Sequence, residues 1–340
     1  MVEPSLWLLL LIISLAIGFG VVNGFNDAAN AIAPAVGSRA LSPRHALIIA
    51  VIANMTGAAT GTAVAQTIGK GILVSEAITY LTVIAALTSV IIWAALATYL
   101  GMPISLTHGF ISGLAAAGLA EAGSEVVVWN KLGLILSAVV TAPLLGFTGA
   151  FVMMIILFWV FRRVALTKLR VIFSRLQILS TAFIAYAHGK NDGQMPIGII
   201  AMALVIYYRG IGQFEQAAAV WESIPWWIIV VSALAISSGM AIGGWRVIQT
   251  LGMKVTTLRP VRGFTAQASA AAVIETASQL GIPVSTTHCI SSAVMGVGST
   301  KRLSAVRWGV AGNIIIAWIL TFPICGGLGY LFAWLLGIAF

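Results

Sequence analysis

Apolar runs alternate with short polar interruptions along this chain, and they do so in an order that occurs twice. Each half opens on a long apolar segment broken by an Asn-Asp clump (5–37 and 170–206) and continues with a second apolar span (45–65 and 225–243). Two shorter apolar stretches then meet at Pro-x-Ser-x-Thr-His (78–99 with 104–120; 264–280 with 285–298), and a last long span closes each half (131–161 and 306–338). Runs of about 18 or more apolar residues are long enough for a helix to cross a bilayer. The shorter paired stretches hinge on Gly-x-Pro, which fits a re-entrant hairpin better than two crossings. The Asn-Asp clumps, GFNDAAN at 24–30 and AYAHGKNDGQ at 185–194, are expected to be unwound, because Gly and Asn disfavour helix and irregular backbone at membrane depth must line a cavity or be buried.

The repetition extends to letters. LGMPISLTHGFISG (100–113) aligns with LGIPVSTTHCISSA (280–293) at an offset of 180, and Asn26-Asp27 aligns with Asn191-Asp192 at an offset of 165. Fifteen extra positions are absorbed around IYYRGIGQFEQAAAVWESIPWW, read as a loop-like insertion. Two repeats, 1–165 and 166–340, follow. With each hairpin re-entrant, a half has three crossings, an odd number, so the second half is inverted. The expected fold is an all-α polytopic membrane protein of two inverted-topology repeats with broken helices and two re-entrant hairpins.

Charge placement checks that reading. Loops 38–45, 162–175, 244–263 and 299–307 carry 14 basic residues and no acid, while the opposite side carries Lys70, Lys131 and Arg209 against Glu3, Glu76, Glu121, Glu125, Glu215 and Glu222. By the positive-inside rule the basic side is cytoplasmic, both termini are outside, and the location is the cell membrane. This accounts for the net charge of +9 without a nucleic-acid partner. A hydrophobic fraction of 60% and mean hydropathy of +1.05 leave no segment for a sizeable soluble domain. The start has Glu3 and no base before its apolar run, so it reads as a retained span rather than a signal peptide. Cys289 and Cys325 stand in apolar surroundings and imply neither a metal cluster nor a disulfide framework.

Apart from His, four ionisable groups remain at membrane depth: Asp27, Lys190, Asp192 and Glu275. Such groups cost several kcal/mol in hydrocarbon and mark a site or pathway; the alternative is a structural Lys–Asp pair. At the hairpin tips, Ser105 and Thr107, and Ser285, Thr286 and Thr287, stand where a helical arm starts. Hydroxyl caps, free amides and the helix dipole make such an end suitable for a small oxyanion. Carboxylates beside an oxyanion repel it unless a proton or cation intervenes, which points to coupled transport. His108 and His288 read as hairpin packing. His188 suits either a proton shuttle or a helix-breaking or hydrogen-bonding role, Glu275 either a coupling ion or a buried hydrogen bond, and His45 a solvated position. No nucleophile–base pair supports an enzyme.

GFNDAANA, AHGKNDGQ, the two Pro-x-Ser-x-Thr-His tips and GWRVIQTLG (244–252) together resemble the inorganic phosphate transporter (PiT) family of Na⁺- or H⁺-coupled symporters. The resemblance covers essentially the whole chain. It implies phosphate at the pseudo-two-fold centre, no organic cofactor and a homodimer. It assigns substrate binding to Asn26, Asp27, Ser105, Thr107, Asn191, Asp192, Ser285, Thr286 and Thr287, to which Lys190 adds a positive charge. Coupling-ion residues would be Asp27, Asn30, Asp192, Gln267 and Glu275, with Na⁺ at Asp27, Asn26, Asp192 and Asn191. Gln267 stands where many members of the family have Glu, and Lys190 occupies a slot often filled by a small residue. Sulfate is the rival substrate and an anion channel the rival mechanism.

Overall fold

The computed structural model describes residues 5–74 and 77–339; Glu3 and Glu76, counted above on the acidic side, lie outside them. The first half comprises α1 (Leu6–Gly37), α2 (Pro43–Ala58), α3 (Ala63–Lys70), α4 (Tyr80–Leu100), α5 (Leu106–Ala122) and α6 (Trp129–Val160). The second comprises α7 (Leu166–Asp192), α8 (Gln194–Gly210), α9 (Phe214–Glu222), α10 (Trp226–Ile242), α11 (Trp245–Gln249) with a π-helical turn (Thr250–Lys254), α12 (Pro260–Gln279), α13 (Thr286–Ser299) and α14 (Trp308–Ala339). Among the described residues, five helical stretches are long and apolar enough to cross a membrane, or up to seven if the bent pairs α2–α3 (67°) and α9–α10 (57°) each count as one span. The 32 residues of α6 extend about 48 Å against a hydrocarbon thickness of about 30 Å. Its outer face presents Val140, Leu144, Ile156 and Trp159 without protein cover, the surface a lipid-facing helix needs. The chain is a multi-pass membrane protein.

Both hairpins close by the same local chemistry. Gly101 and Gly281 adopt left-handed conformations, with φ of 74° and 67°, which only a residue without Cβ takes cheaply. Pro103 and Pro283 follow, and Ser105 and Ser285 then cap α5 and α13 by accepting from the backbone N–H of His108 (3.2 Å) and His288 (3.1 Å). The Gly-x-Pro-x-Ser pattern is therefore a helix stop, a turn and a helix start in five residues.

Helices of one half pack on helices of the other: α1 on α10, α2 on α7, α5 on α14 and α6 on α13. Between α2 and α7 the backbones almost touch. A Cβ on Gly57 would lie 2.0 Å from the Tyr186 carbonyl oxygen, and one on Gly189 would lie 2.0 Å from that of Asn54. With little hydrophobic drive between helices in lipid, such close van der Waals contact is a main source of association.

Two expectations fail here. Neither clump unwinds: α1 is continuous through Asn26 and Asp27, and α7 runs to Asp192, with Gly193 the single residue separating it from α8. The clump glycines serve close approach instead; a Cβ on Gly24 would meet the Ile236 carbonyl oxygen at 1.9 Å. The helical ladder satisfies the backbone, and the polar side chains find partners on neighbouring helices. The 206–227 insertion is also not a loop, since it contains the end of α8, all of α9 and the start of α10.

Candidate functional site

Packing α1 and α7 side by side brings the two clumps together. His188 and Asp192, four residues apart on α7, share one helix face. His188 Nε2 lies 3.2 Å from Asp192 Oδ2 and 3.5 Å from Asp27 Oδ2 on α1. All three side chains are essentially sealed from solvent. The hairpin tips supply hydroxyls from the other side. Thr286 donates to Asp192 Oδ2 (2.8 Å) and sits 3.5 Å from Asp27 Oδ2, Thr287 donates to Asp27 Oδ1 (3.0 Å), and Thr107 donates to Asp192 Oδ1 (3.3 Å). Asn30, one turn below Asp27, donates to Thr286 Oγ1 (3.2 Å) and Thr287 Oγ1 (2.9 Å). With its amide nitrogen turned inward, Asn191 donates to Asp192 Oδ1 (3.1 Å) and the Val284 carbonyl (3.0 Å) and accepts from Ser278 (2.9 Å).

His188 is fixed by Asn54 of α2, whose Oδ1 lies 2.7 Å from His188 Nδ1 while its Nδ2 donates to Ser237 at 3.2 Å. That amide orientation assigns a proton to Nδ1. Nε2 then faces two carboxylates and attracts them only when it too is protonated. Asp27, His188 and Asp192 each present a ligand atom within 4.8 Å of the others, so the same centre can hold a cation. Carboxylate and hydroxyl oxygens suit a hard cation.

The expected residues divide into two groups. Asp27, Asp192, Thr107, Thr286, Thr287, Asn30 and Asn191 converge, and Ser105 and Ser285 flank them as caps. Asn26 does not converge: it donates to Thr98 of α4 at 2.6 Å. Nor does Gln267, which accepts from Ser180 (2.9 Å) and donates to Thr181 (3.1 Å) and the Ala31 carbonyl (2.8 Å) in a separate buried network. Lys190 pairs with Glu275 of α12, and Glu275 also accepts from Gln279 at 2.8 Å. Two residues along a helix turn the side chain by about 200°, which carries Lys190 away from the face of Asp192. His108 and His288 behave as hairpin packing. Their rings meet edge-on at 5.0 Å, His108 stacks on Phe322 at 5.2 Å, and His288 stacks on Trp318 at 4.0 Å. His45 is exposed beside its capping Ser42, with 2.7 Å between Oγ and Nδ1. The sequence reading held His188 open as a proton shuttle but did not place it between the two carboxylates, for which the His-x-x-x-Asp spacing was the available signal, and the part played by Asn54 escaped it.

The Lys190–Glu275 pair gives a distinguishing experiment. Glu275→Gln should lower the melting temperature of the purified protein, because it leaves a half-buried ammonium unpaired. Lys190→Met together with Glu275→Met should recover most of that loss. The substrate concentration that half-saturates transport should stay at the wild-type value in each variant. A changed half-saturation with unchanged melting would instead place Lys190 at the anion.

Long apolar helices enclosing one buried carboxylate–hydroxyl centre are the architecture of a membrane transporter. Comparison with known proteins gives the same class in narrower form. The "Phosphate transporter family" matches residues 23–173 and 161–329, and the chain belongs to that family. It is 38% identical over 335 residues to a "Probable low-affinity inorganic phosphate transporter" of Bacillus subtilis, covering 98% of both chains. It is 39% identical over 318 residues to a protein of the same description from Rhizobium meliloti, covering 93% of this chain and 92% of the other. A solved structure described as "The sodium-dependent phosphate transporter" superposes with a TM-score of 0.88 at 27% identity, covering 98% of this chain and all of the other.

Proposed function

We propose that the chain imports inorganic phosphate across the cell membrane by symport with Na⁺, and that Asp27, Asp192, Thr107, Thr286 and Thr287 form the shared binding centre. The observation that carries this reading is the convergence of one carboxylate from each clump with threonine hydroxyls from each hairpin tip. Phosphate at neutral pH carries P–OH donors for carboxylate acceptors as well as oxygens for the threonine hydroxyls. Sulfate lacks the donors. Bringing a phosphate oxyanion to about 4 Å from a carboxylate costs about 4 kcal/mol per pair of unit charges at an effective dielectric of 20. A cation bound between them removes that cost and thereby couples the two fluxes. The sodium dependence of the solved relative favours Na⁺. A second reading, H⁺ coupling, is favoured by His188, the titratable group between the two carboxylates.

In this reading residues 1–165 and 166–340 are inverted repeats, each hairpin is re-entrant, both termini face outward, and two copies associate. Supporting observations are the cross-half helix pairing and the matched Gly-x-Pro turns. Single cysteines at the exposed Ser223 and Ser304 should label from opposite faces with an impermeant thiol reagent. Labelling from one face would contradict the inversion.

Radiolabelled phosphate uptake into proteoliposomes tests the function. An inward Na⁺ gradient should drive accumulation beyond electrochemical equilibrium, and excess sulfate should not compete. Accumulation driven only by a proton gradient selects the second reading, and mere equilibration indicates a channel. Thr287→Val keeps shape but strands Asp27 Oδ1 and leaves Asn30 only its longer bond to Thr286, and should weaken phosphate about tenfold to hundredfold, corresponding to about 1–3 kcal/mol.

A further inference from the structure

A second polar feature lies well away from this centre, on the basic face. There the end of α6, the start of α7 and the start of α12 enclose a cavity of about 950 Å³. Its lining combines two chemistries that rarely share a wall. Five cationic side chains, Arg162, Arg170, Arg259, Arg262 and Lys301, stand around it. Among the described residues, no carboxylate lies within ion-pair distance of any of them. Leu157, Phe158, Phe161 and Phe173 supply an apolar wall. Phe173 is fully buried, whereas Phe158 remains about half exposed and continues the bare outer face of α6.

Arg44 and Arg302 are exposed on the same face but lie outside the cavity, whereas the exposed Arg162, Arg170, Arg259 and Lys301 converge around it. Arg162, itself exposed, lies over the ring of Trp159, 4.3 Å from its centroid, at the end of the apolar surface. Arg262 is half-buried and donates to the Thr257 carbonyl at 3.1 Å. The group that satisfies both walls has a negative head for the arginines and a hydrocarbon tail that leaves along α6 into the bilayer. Uncompensated basic pockets between membrane helices on the cytoplasmic side recognise anionic lipid head groups in this way.

We propose that this cavity is a binding site for an anionic phospholipid, its phosphate held by Arg259, Arg262 and Lys301 and its acyl chain against Phe158 and Phe161. The site is distinct from the Asp27–Asp192 centre and stands independently of the transport reading. A soluble phosphate would find the cations but leave the aromatic wall bare, so the lipid is the better complement.

The test is lipid retention measured by native mass spectrometry after release from nanodiscs of mixed phosphatidylcholine and phosphatidylglycerol. Wild-type protein should retain phosphatidylglycerol in preference. Arg259→Gln with Arg262→Gln should lower that retention at least roughly tenfold. Arg44→Gln with Arg302→Gln removes the same charge elsewhere on the basic face and should leave retention unchanged. Equal loss in both pairs would overturn the site in favour of a diffuse field, and displacement of the lipid by millimolar tripolyphosphate would make the occupant a soluble anion. If the first pair does not fold, wild-type protein with a phosphatidylglycerol carrying a diazirine in its tail decides the matter. Crosslinks on the peptide bearing Phe158 and Phe161 support the proposal, and crosslinks confined to other surfaces refute it.

Discussion

Asp27→Asn combined with Asp192→Asn should abolish the proposed cation-driven phosphate accumulation in proteoliposomes, while folded protein should be recovered at wild-type yield. Asn is nearly isosteric with Asp and keeps an acceptor oxygen for Thr286 and Thr287. Packing therefore survives; what is lost is the charge and one acceptor oxygen at each position, which at Asp192 leaves either Thr107 and Asn191 or Thr286 without its acceptor. With the charge go the attraction for the coupling cation and the partners of His188. Hydrogen bonds to a charged group are worth about 1.5–3 kcal/mol, at least roughly tenfold per residue in affinity. The double change should thus cost about a hundredfold or more in binding and leave no gradient-driven accumulation. Ser304→Ala, an exposed position on the basic face, serves as the inert comparison. Wild-type accumulation by the double variant would move the binding centre elsewhere while leaving family membership untouched.

The second large effect falls on the fold. Gly57→Ala or Gly189→Ala should eliminate the monodisperse folded fraction on size-exclusion chromatography. The added methyl would sit 2.0 Å from a backbone oxygen of the facing helix, far inside van der Waals contact and with no flexible side chain to yield. Relief requires α2 and α7 to separate, which carries Asn54 away from His188 and weakens the centre as well. Gly18→Ala, in α1 with nothing within 4 Å of the new Cβ, should fold normally and gain slightly in helix propensity. A Gly189→Ala protein melting at the wild-type temperature would show that the contact is softer than the geometry implies.

Much of the fold was legible because bilayer length and hydropathy act on whole segments. The span expected at 131–161 is observed at Trp129–Val160, and both hairpin tips fall where Pro-x-Ser-x-Thr-His placed them. The carboxylates and threonines of the centre were legible for a related reason: buried polar groups in an apolar chain have few roles open to them. Direction around a helix was harder to read. Lys190 and Asp192 are neighbours in sequence, yet one faces Glu275 and the other faces Asp27, His188 and Thr286. The clump glycines misled because a missing Cβ serves either an unwound backbone or a close helix contact, and the letters do not distinguish them. The nine residues of α9, bracketed by Gly212 and Pro225, are too short for their periodicity to outweigh the flanking turn signals.

Coupling at one centre requires that cation and phosphate each raise the other's affinity by the same factor. The direct measurement is calorimetric titration of phosphate into purified protein at several Na⁺ concentrations, together with the reciprocal titration of Na⁺ at several phosphate concentrations. The account predicts that phosphate binds more tightly as Na⁺ rises, that Na⁺ binds more tightly by an equal factor as phosphate rises, and that both effects vanish in the Asp27→Asn, Asp192→Asn protein. Phosphate affinity independent of both Na⁺ and proton concentration, or unchanged in the double variant, would contradict it.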